Sequence, residues 1–202
     1  MNPPKPPIYD KIAPRYDAVF APLEKRFFAR WRKQTLSLLP ENCSVLEIGA
    51  GTGLNFAHYP KISCGVASEL SFKMLEFARE KERPSELQLV QSSAEKIPFA
   101  DNSFDAAFAT LVFCSVKSPQ EAFAELRRVV KPEGKIVLLE HVRPKGMLAP
   151  VFDVLNFFTV RLFEDHFNRR TVEEAKKAGL QIENVERKAA SIINIIECKV
   201  TK

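Results

Sequence analysis

The chain has 202 residues, 46% hydrophobic and 27% charged, which suits one folded domain and argues against a disordered chain. It holds no run of about 18 uncharged apolar residues, so no membrane-spanning helix is expected, and its opening MNPPKPPIYDK lacks the apolar segment of a secretory signal. The net charge of +5 is concentrated in residues 1–40, where Lys and Arg outnumber Asp and Glu; the remainder is balanced. Such a segment is most often a solvated helix face, and otherwise attracts anionic lipid, nucleic acid or an acidic ligand.

In chain order, the prolines at positions 3, 4, 6 and 7 predict an extended tail. From Ala21 to Leu39, Leu23, Phe27, Phe28, Trp31, Thr35 and Leu38 recur at steps of three and four, so a helix is predicted, with Pro22 in its first turn and Pro40 ending it. Cys43–Ile48 reads as a buried strand. A helix is predicted over Leu54–Tyr59, closed by Pro60, then a strand over Ile62–Ser68 and a helix over Ser71–Lys81. Strands follow at Glu86–Gln91 and Ser103–Thr110, a helix at Pro119–Val130, and a fifth strand at Gly134–Val142. Short, regular alternation of strand and helix predicts parallel βαβ units covered on both faces. Met147–Phe163 is strongly apolar with one narrow polar stripe and reads as a core helix, a lid over an apolar pocket, or a membrane-surface helix. Thr171–Ala178 is a predicted helix with Thr171 as N-cap and Gly179 past its end. Leu180–Glu186 and Ser191–Val200 are too closely linked for a parallel crossover, so they form an antiparallel hairpin. The fold class is therefore α/β: a Rossmann-like, doubly wound, mostly parallel sheet whose last strand is reversed. Residues 1–40 are expected to form a lid and basic helix, and 41–202 the ligand-binding domain.

The chain has only seven glycines, and three of them, Gly49, Gly51 and Gly53, lie in VLEIGAGTGLN after the first strand. Glycines there let the backbone turn sharply and let a ligand lie on the main chain. A following helix would add free N–H donors. The dinucleotide pattern G-x-G-x-x-G would need glycine where Leu54 stands. Glu47, two residues before the loop, is unwelcome beside a pyrophosphate and suits a ligand carrying an ammonium group.

The pattern E-x-G-x-G-x-G resembles the first motif of class I S-adenosylmethionine (SAM)-dependent methyltransferases. Gly65-Val-Ala-Ser-Glu69-Leu70-Ser71-Phe-Lys-Met74-Leu75 is similar to that family's G-x-D-x-S-x-x-M-L segment, and Glu69 stands at its acidic position, 20 residues past Gly49. Gln91-Ser-Ser93-Ala94-Glu-Lys-Ile-Pro-Phe99 is similar to the family's segment after the third strand, with Ser93 in place of the usual acid. Asp101–Asp105 and Leu126–Gly134 also match, so the likeness covers residues 8 to 142 well. The layout resembles the small ubiquinone/menaquinone C-methyltransferases. Glu140-His-Val142 and Phe167–Thr171 resemble membrane-associated methyltransferase-like proteins and bacterial phospholipid N-methyltransferases.

The resemblance implies SAM as cofactor, a seven-stranded sheet, and methyl transfer to a small-molecule or lipid-like acceptor. It implies a cofactor site of Glu47, Gly49, Ala50, Gly51, Gly53, Glu69, Leu70, Ser93, Ala94 and Leu111. Glu69 would bond the ribose hydroxyls, and Ser93 with the Ala94 backbone would meet the adenine. Tyr9 and Tyr16, in I-Y-D-K-I-A-P-R-Y-D, resemble the family's N-terminal lid, and their rings could cover a sulfonium. Tyr16 is a candidate catalytic residue on that ground. His141, at the carboxyl end of the fifth strand, is the candidate base, against the alternative of a structural histidine. Glu140 should point to the opposite face. His58 and His166 read as structural. Cys114 follows Phe113 rather than the proline of enzymes that methylate pyrimidine carbon through cysteine, so it is not expected to be a nucleophile.

Cys43, Cys64, Cys114 and Cys198 form no CxxC pair, so reduced thiols in a cytoplasmic protein are expected, with no metal site. Nucleic acid is not the expected substrate: Thr110-Leu-Val-Phe113 stands where base amino-group methylases carry Asp/Asn-Pro-Pro-aromatic. The other class kept open is a peripheral membrane-binding protein of the same fold without turnover, its basic helix on anionic lipid.

Overall fold

A computed structural model describes residues 8–143 and 168–202, together with residues 156, 161 and 166. The tail at 1–7 and the apolar run Met147–Phe163, apart from Asn156 and Arg161, lie outside the described residues. Seven strands form one sheet in the order β3-β2-β1-β4-β5-β7-β6. These are β1 (Ser44–Ile48), β2 (Cys64–Glu69), β3 (Leu87–Gln91), β4 (Phe104–Thr110), β5 (Val130–His141), β6 (Leu180–Lys188) and β7 (Ile193–Val200). The first five pair in parallel; β7 is antiparallel to both β5 and β6. This is the expected α/β class, with the reversed strand inside the sheet and β6 at its edge.

Alternation along the strands sorts the core into two layers. Leu46, Ile48, Ile136, Leu138 and Ile196 pack with Phe113, Phe123 and Leu126 on one face; Val45, Ala67, Val137, Leu139 and Ile195 pack with Phe28, Leu36 and Phe56 on the other. The first face is covered by α4 (Pro119–Val129), whose N-cap Ser118 accepts from Glu121 N, and by α5 (Thr171–Lys177). The second is covered by α2 (Ala29–Leu36) and α3 (Phe72–Arg79), whose N-cap Ser71 accepts from Met74 N. Thr171 begins α5 rather than capping it; Arg170 is the N-cap, with no side-chain cap bond.

Two helix expectations are corrected. The N-terminal helix does not start at Ala21. Helix α1 runs Ile8–Leu23 with Pro14 and Pro22 inside it, a π-helical segment spans Glu24–Phe28, and α2 follows. Proline deletes a backbone donor, and a π turn is a common way for a helix to absorb the disturbance. The expected helix over Leu54–Tyr59 is a turn followed by one 3-10 turn, Phe56–His58. Pro60 leaves too few residues to nucleate an α-helix, so the backbone donors after β1 are those of the loop itself.

Candidate functional site

Strand order reverses between β1 and β4, and the carboxyl ends of β1 to β4 open there on a cavity of about 770 Å³. Ligands of open α/β sheets bind in this crevice.

The loop after β1 forms its floor. Gly49, Gly51 and Gly53 have φ of +67°, +57° and +82°. A Cβ at Gly49 would stand 2.4 Å from Val112, and one at Gly53 2.4 Å from the Phe56 ring, whereas one at Gly51 would meet nothing within 4 Å. Gly49 and Gly53 therefore serve close packing, and Gly51 is the bare backbone that faces the cavity. Beside it, Glu69 accepts from Gly51 N at 2.9 Å through Oε2 and from Ser71 N at 2.8 Å through Oε1. Burial raises its pKa, opposed by these backbone bonds. A carboxylate has about four lone-pair positions, so two remain for ligand hydroxyls.

Gly49, Ala50, Gly51, Glu69, Leu70, Ser93, Ala94 and Leu111 all line the cavity, as do Tyr9 and Tyr16. Leu111, just past β4, sits in left-handed backbone (φ +60°), a strained state common at functional sites. The buried carboxylate of Glu140 supports the next residues by accepting from Val112 N and Phe113 N at 3.0 and 3.1 Å. Ser93 donates its hydroxyl to Glu95 and accepts from Glu95 N; Glu95 also accepts from Lys117 N, which ties the segment after β3 to the start of α4.

Helix α1 roofs the cavity. Tyr9 and Tyr16 are seven residues apart and so share a face. The aspartate after each fastens the helix. Ser71 donates its hydroxyl to Asp10; Asp17 accepts from Thr52 Oγ1 at 2.6 Å and pairs with Lys81 Nζ at 2.6 Å.

Three expected site residues lie elsewhere. Gly53 is behind the loop against Phe56. Glu47 is fully buried and faces α2; it accepts from Asn55 Nδ2 and Tyr59 Oη, both at 2.6 Å, and does not line the cavity. Its strand parity with Val45 sends it beneath the loop. His141 shares the parity of Leu139, packs edge-on against Phe28 at 6.2 Å, and is likewise absent from the cavity wall. Burial lowers its pKa to about 4, so it is neutral near pH 7. A base acting on a substrate in the cavity is not placed at His141.

Burial also raises the Glu47 pKa, to about 7 from an ordinary 4.5, against the bonds from Asn55 and Tyr59. The folded form therefore holds this proton more tightly than the unfolded chain. Its stabilising contribution is full below pH 4.5 and is lost as pH rises through about 7. Up to about 3 kcal/mol of stability should disappear across that window, at 1.36 kcal/mol per unit. Denaturant unfolding from pH 4.5 to 8 should show a shallower decline for Glu47→Gln than for wild type; parallel curves would refute this.

Sequence reasoning missed Arg32 and Thr110, which also line the cavity. Arg32 was grouped with a solvated basic face, yet it is 5% exposed. The available signal was phase: Phe28, Arg32 and Leu36 follow at steps of four, placing a charge inside the buried stripe.

A methyltransferase domain profile matches residues 46–138. A demethylmenaquinone methyltransferase of Renibacterium salmoninarum is 34% identical over 141 residues, covering 68% of this chain and 58% of that protein. The ubiquinone/menaquinone biosynthesis C-methyltransferase UbiE of Citrifermentans bemidjiense is 32% identical over 166 residues, covering 77% of this chain and 69% of that protein. The chain spans 58%, 54% and 63% of three curated relatives it matches. Among solved structures, a SAM-dependent methyltransferase of Thermotoga maritima superimposes with a TM-score of 0.74 at 24% identity, covering 96% of this chain and 99% of the other, which shows the shared fold. No described helix is long and apolar enough to cross a membrane.

Proposed function

Given that the chain belongs to the class I SAM-dependent methyltransferases, we propose that it methylates a small acceptor ring of the quinol type. The acceptor part is supported by the likeness to the demethylmenaquinone and ubiquinone/menaquinone methyltransferases, and the cofactor part by the cavity at the strand-order reversal, where bare Gly51 backbone and the Glu69 carboxylate stand side by side under two tyrosines. Space for a main-chain contact at Gly51 and spare acceptor capacity on Glu69 fit a ribose, and Ser93 and Ala94 on the β3 side fit the adenine. Bound SAM supplies a methyl carbon already activated by its sulfonium.

The protein's own task is then to align an acceptor and exclude water. Helix α1, clasped through Asp10 and Asp17, closes the roof. Tyr9 and Tyr16 line the site, where a ring face would favour a cation. Calorimetry should show binding of SAM and S-adenosylhomocysteine but not NAD. Mass spectrometry after incubation with SAM and a demethylated naphthoquinol, a phenol or a small thiol should find the methyl group on the quinol. Binding of NAD alone would sink the family's cofactor; methylation of the thiol alone would sink the acceptor.

A second reading adds to the first. Val19, Leu23 and Phe27 are 65%, 46% and 42% exposed at steps of four, and exposed Lys25, Arg26 and Arg30 stand around them. Apolar side chains ringed by cations suit an anionic bilayer surface. The protein should sediment with phosphatidylglycerol vesicles, less so in high salt, and Leu23→Asp should release it. Equal partition onto neutral vesicles would remove the electrostatic part. Nothing favours a non-catalytic role.

A further inference from the structure

Arg32 is 5% exposed as a residue, and its guanidinium is anchored on three of its five donors. Nε donates to Glu24 at 3.0 Å, and Nη1 donates to Asn55 Oδ1 at 3.0 Å and Thr110 Oγ1 at 2.5 Å. Asn55 is itself fixed by Glu47, to which its Nδ2 donates at 2.6 Å. Both donors of Nη2 remain: this nitrogen bonds no described residue and is not among the fully buried atoms left unsatisfied, and Arg32 lines the cavity. Thr110 Oγ1 accepts twice, from Arg32 and from Asn55 Nδ2 at 2.9 Å, which leaves its proton to donate, and Thr110 lines the same cavity. A held guanidinium edge beside a hydroxyl donor is a site for a planar carboxylate.

It stands at the β1–β4 end of the cavity, across the glycine loop from Glu69 and Ser93 at the β2–β3 end. We infer that Arg32 and Thr110 anchor the carboxylate of the cofactor's amino-acid end. Arg32 lies outside the residues 46–138 that match the family profile. The inference rests on the SAM-binding reading above, and assigns to Arg32 the polar contact at that end which Glu47, closed off by Asn55 and Tyr59, does not make.

The test compares three probes by calorimetry: S-adenosylhomocysteine, its decarboxylated analogue, which lacks only the carboxylate, and 5′-methylthioadenosine, which lacks the whole amino-acid end. Wild type should prefer S-adenosylhomocysteine over the decarboxylated analogue by about 10- to 100-fold, the range of a charge-assisted pair. Arg32→Gln should shrink that preference to about threefold or less while methylthioadenosine binds as before. Arg32→Lys should keep only part of it, since a point charge does not reproduce the fork. Thr110→Val should reduce it by a smaller factor.

Equal affinity of wild type for the two probes would overturn the inference, as would a preference that Arg32→Lys leaves whole. So would a parallel loss of all three probes in Arg32→Gln, which would mark a purely structural arginine. Should Arg32→Gln not fold, the wild-type and Arg32→Lys measurements decide alone. Failure of wild type to bind any of the three would instead sink the SAM-binding reading.

Discussion

Glu69→Ala should weaken S-adenosylhomocysteine binding by about 10- to 150-fold, the equivalent of about 1.5–3 kcal/mol for hydrogen bonds to a charged group. Two effects combine. The substitution removes the carboxylate proposed to accept the ribose hydroxyls. It also removes the bridge by which Gly51 N and Ser71 N share one acceptor, and so frees the glycine loop from the start of α3. Asp10 should not compensate, because its carboxylate is engaged by the Ser71 hydroxyl and Lys73 N rather than by the glycine loop. Calorimetry on the folded variant checks this; an unchanged dissociation constant would mean that a different acid holds the ribose.

Alanine at Gly49 and at Gly51 should give opposite balances of stability and binding. Both positions have left-handed backbone, which costs a non-glycine residue roughly 1–2 kcal/mol. At Gly49 the new methyl would also stand 2.4 Å from Val112, adding an overpacking cost of about 1–3 kcal/mol. Gly49→Ala should therefore lose about 2–5 kcal/mol of stability, a large share of what a domain of this size has. A Cβ at Gly51 would meet no atom within 4 Å. Gly51→Ala should lose only the backbone part, about 1–2 kcal/mol, yet weaken cofactor binding at least about tenfold, because its methyl occupies the space into which the ligand fits. Denaturant unfolding and calorimetry on the pair separate the two costs. A Gly51→Ala protein that binds as wild type would show that no ligand lies on that backbone.

The parts of the fold legible in the sequence are those where one rule acts alone. Alternation of short apolar runs with helical stripes gave the parallel units. The four residues between the last two strand runs required a hairpin, and β6 and β7 are antiparallel. Tyr9 and Tyr16 were legible through the resemblance to an N-terminal lid, and both line the cavity, although the helix that carries them was not expected there.

Competition between rules hid the rest. Pro22 reads as the first turn of a helix opening at Ala21, but packing over the glycine loop and the Asp10 and Asp17 clasps hold α1 together from Ile8, with Pro14 and Pro22 inside it. Glu47 and His141 were singled out for nearness in sequence to the loop and to the strand end. Parity decides which side of a strand meets the cavity, and parity alone does not say which face lies toward α2. Arg32 needed the reverse insight: a charge in a buried stripe requires partners, and Glu24, Asn55 and Thr110 are those partners only once the chain has folded.

The insertion of β7 between β5 and β6 bears on the order of assembly during synthesis. Leaving the ribosome, β6 emerges before β7, yet it touches the sheet only through that later strand. Until residues 193–200 are out of the exit tunnel, β5 exposes an unpaired edge rich in Val and Leu, and β6 has nowhere to dock. Such an edge invites pairing with a neighbouring nascent chain. The closing step is therefore a single zippering of both sides of β7, and its timing sets how long each new molecule stays vulnerable to misassociation.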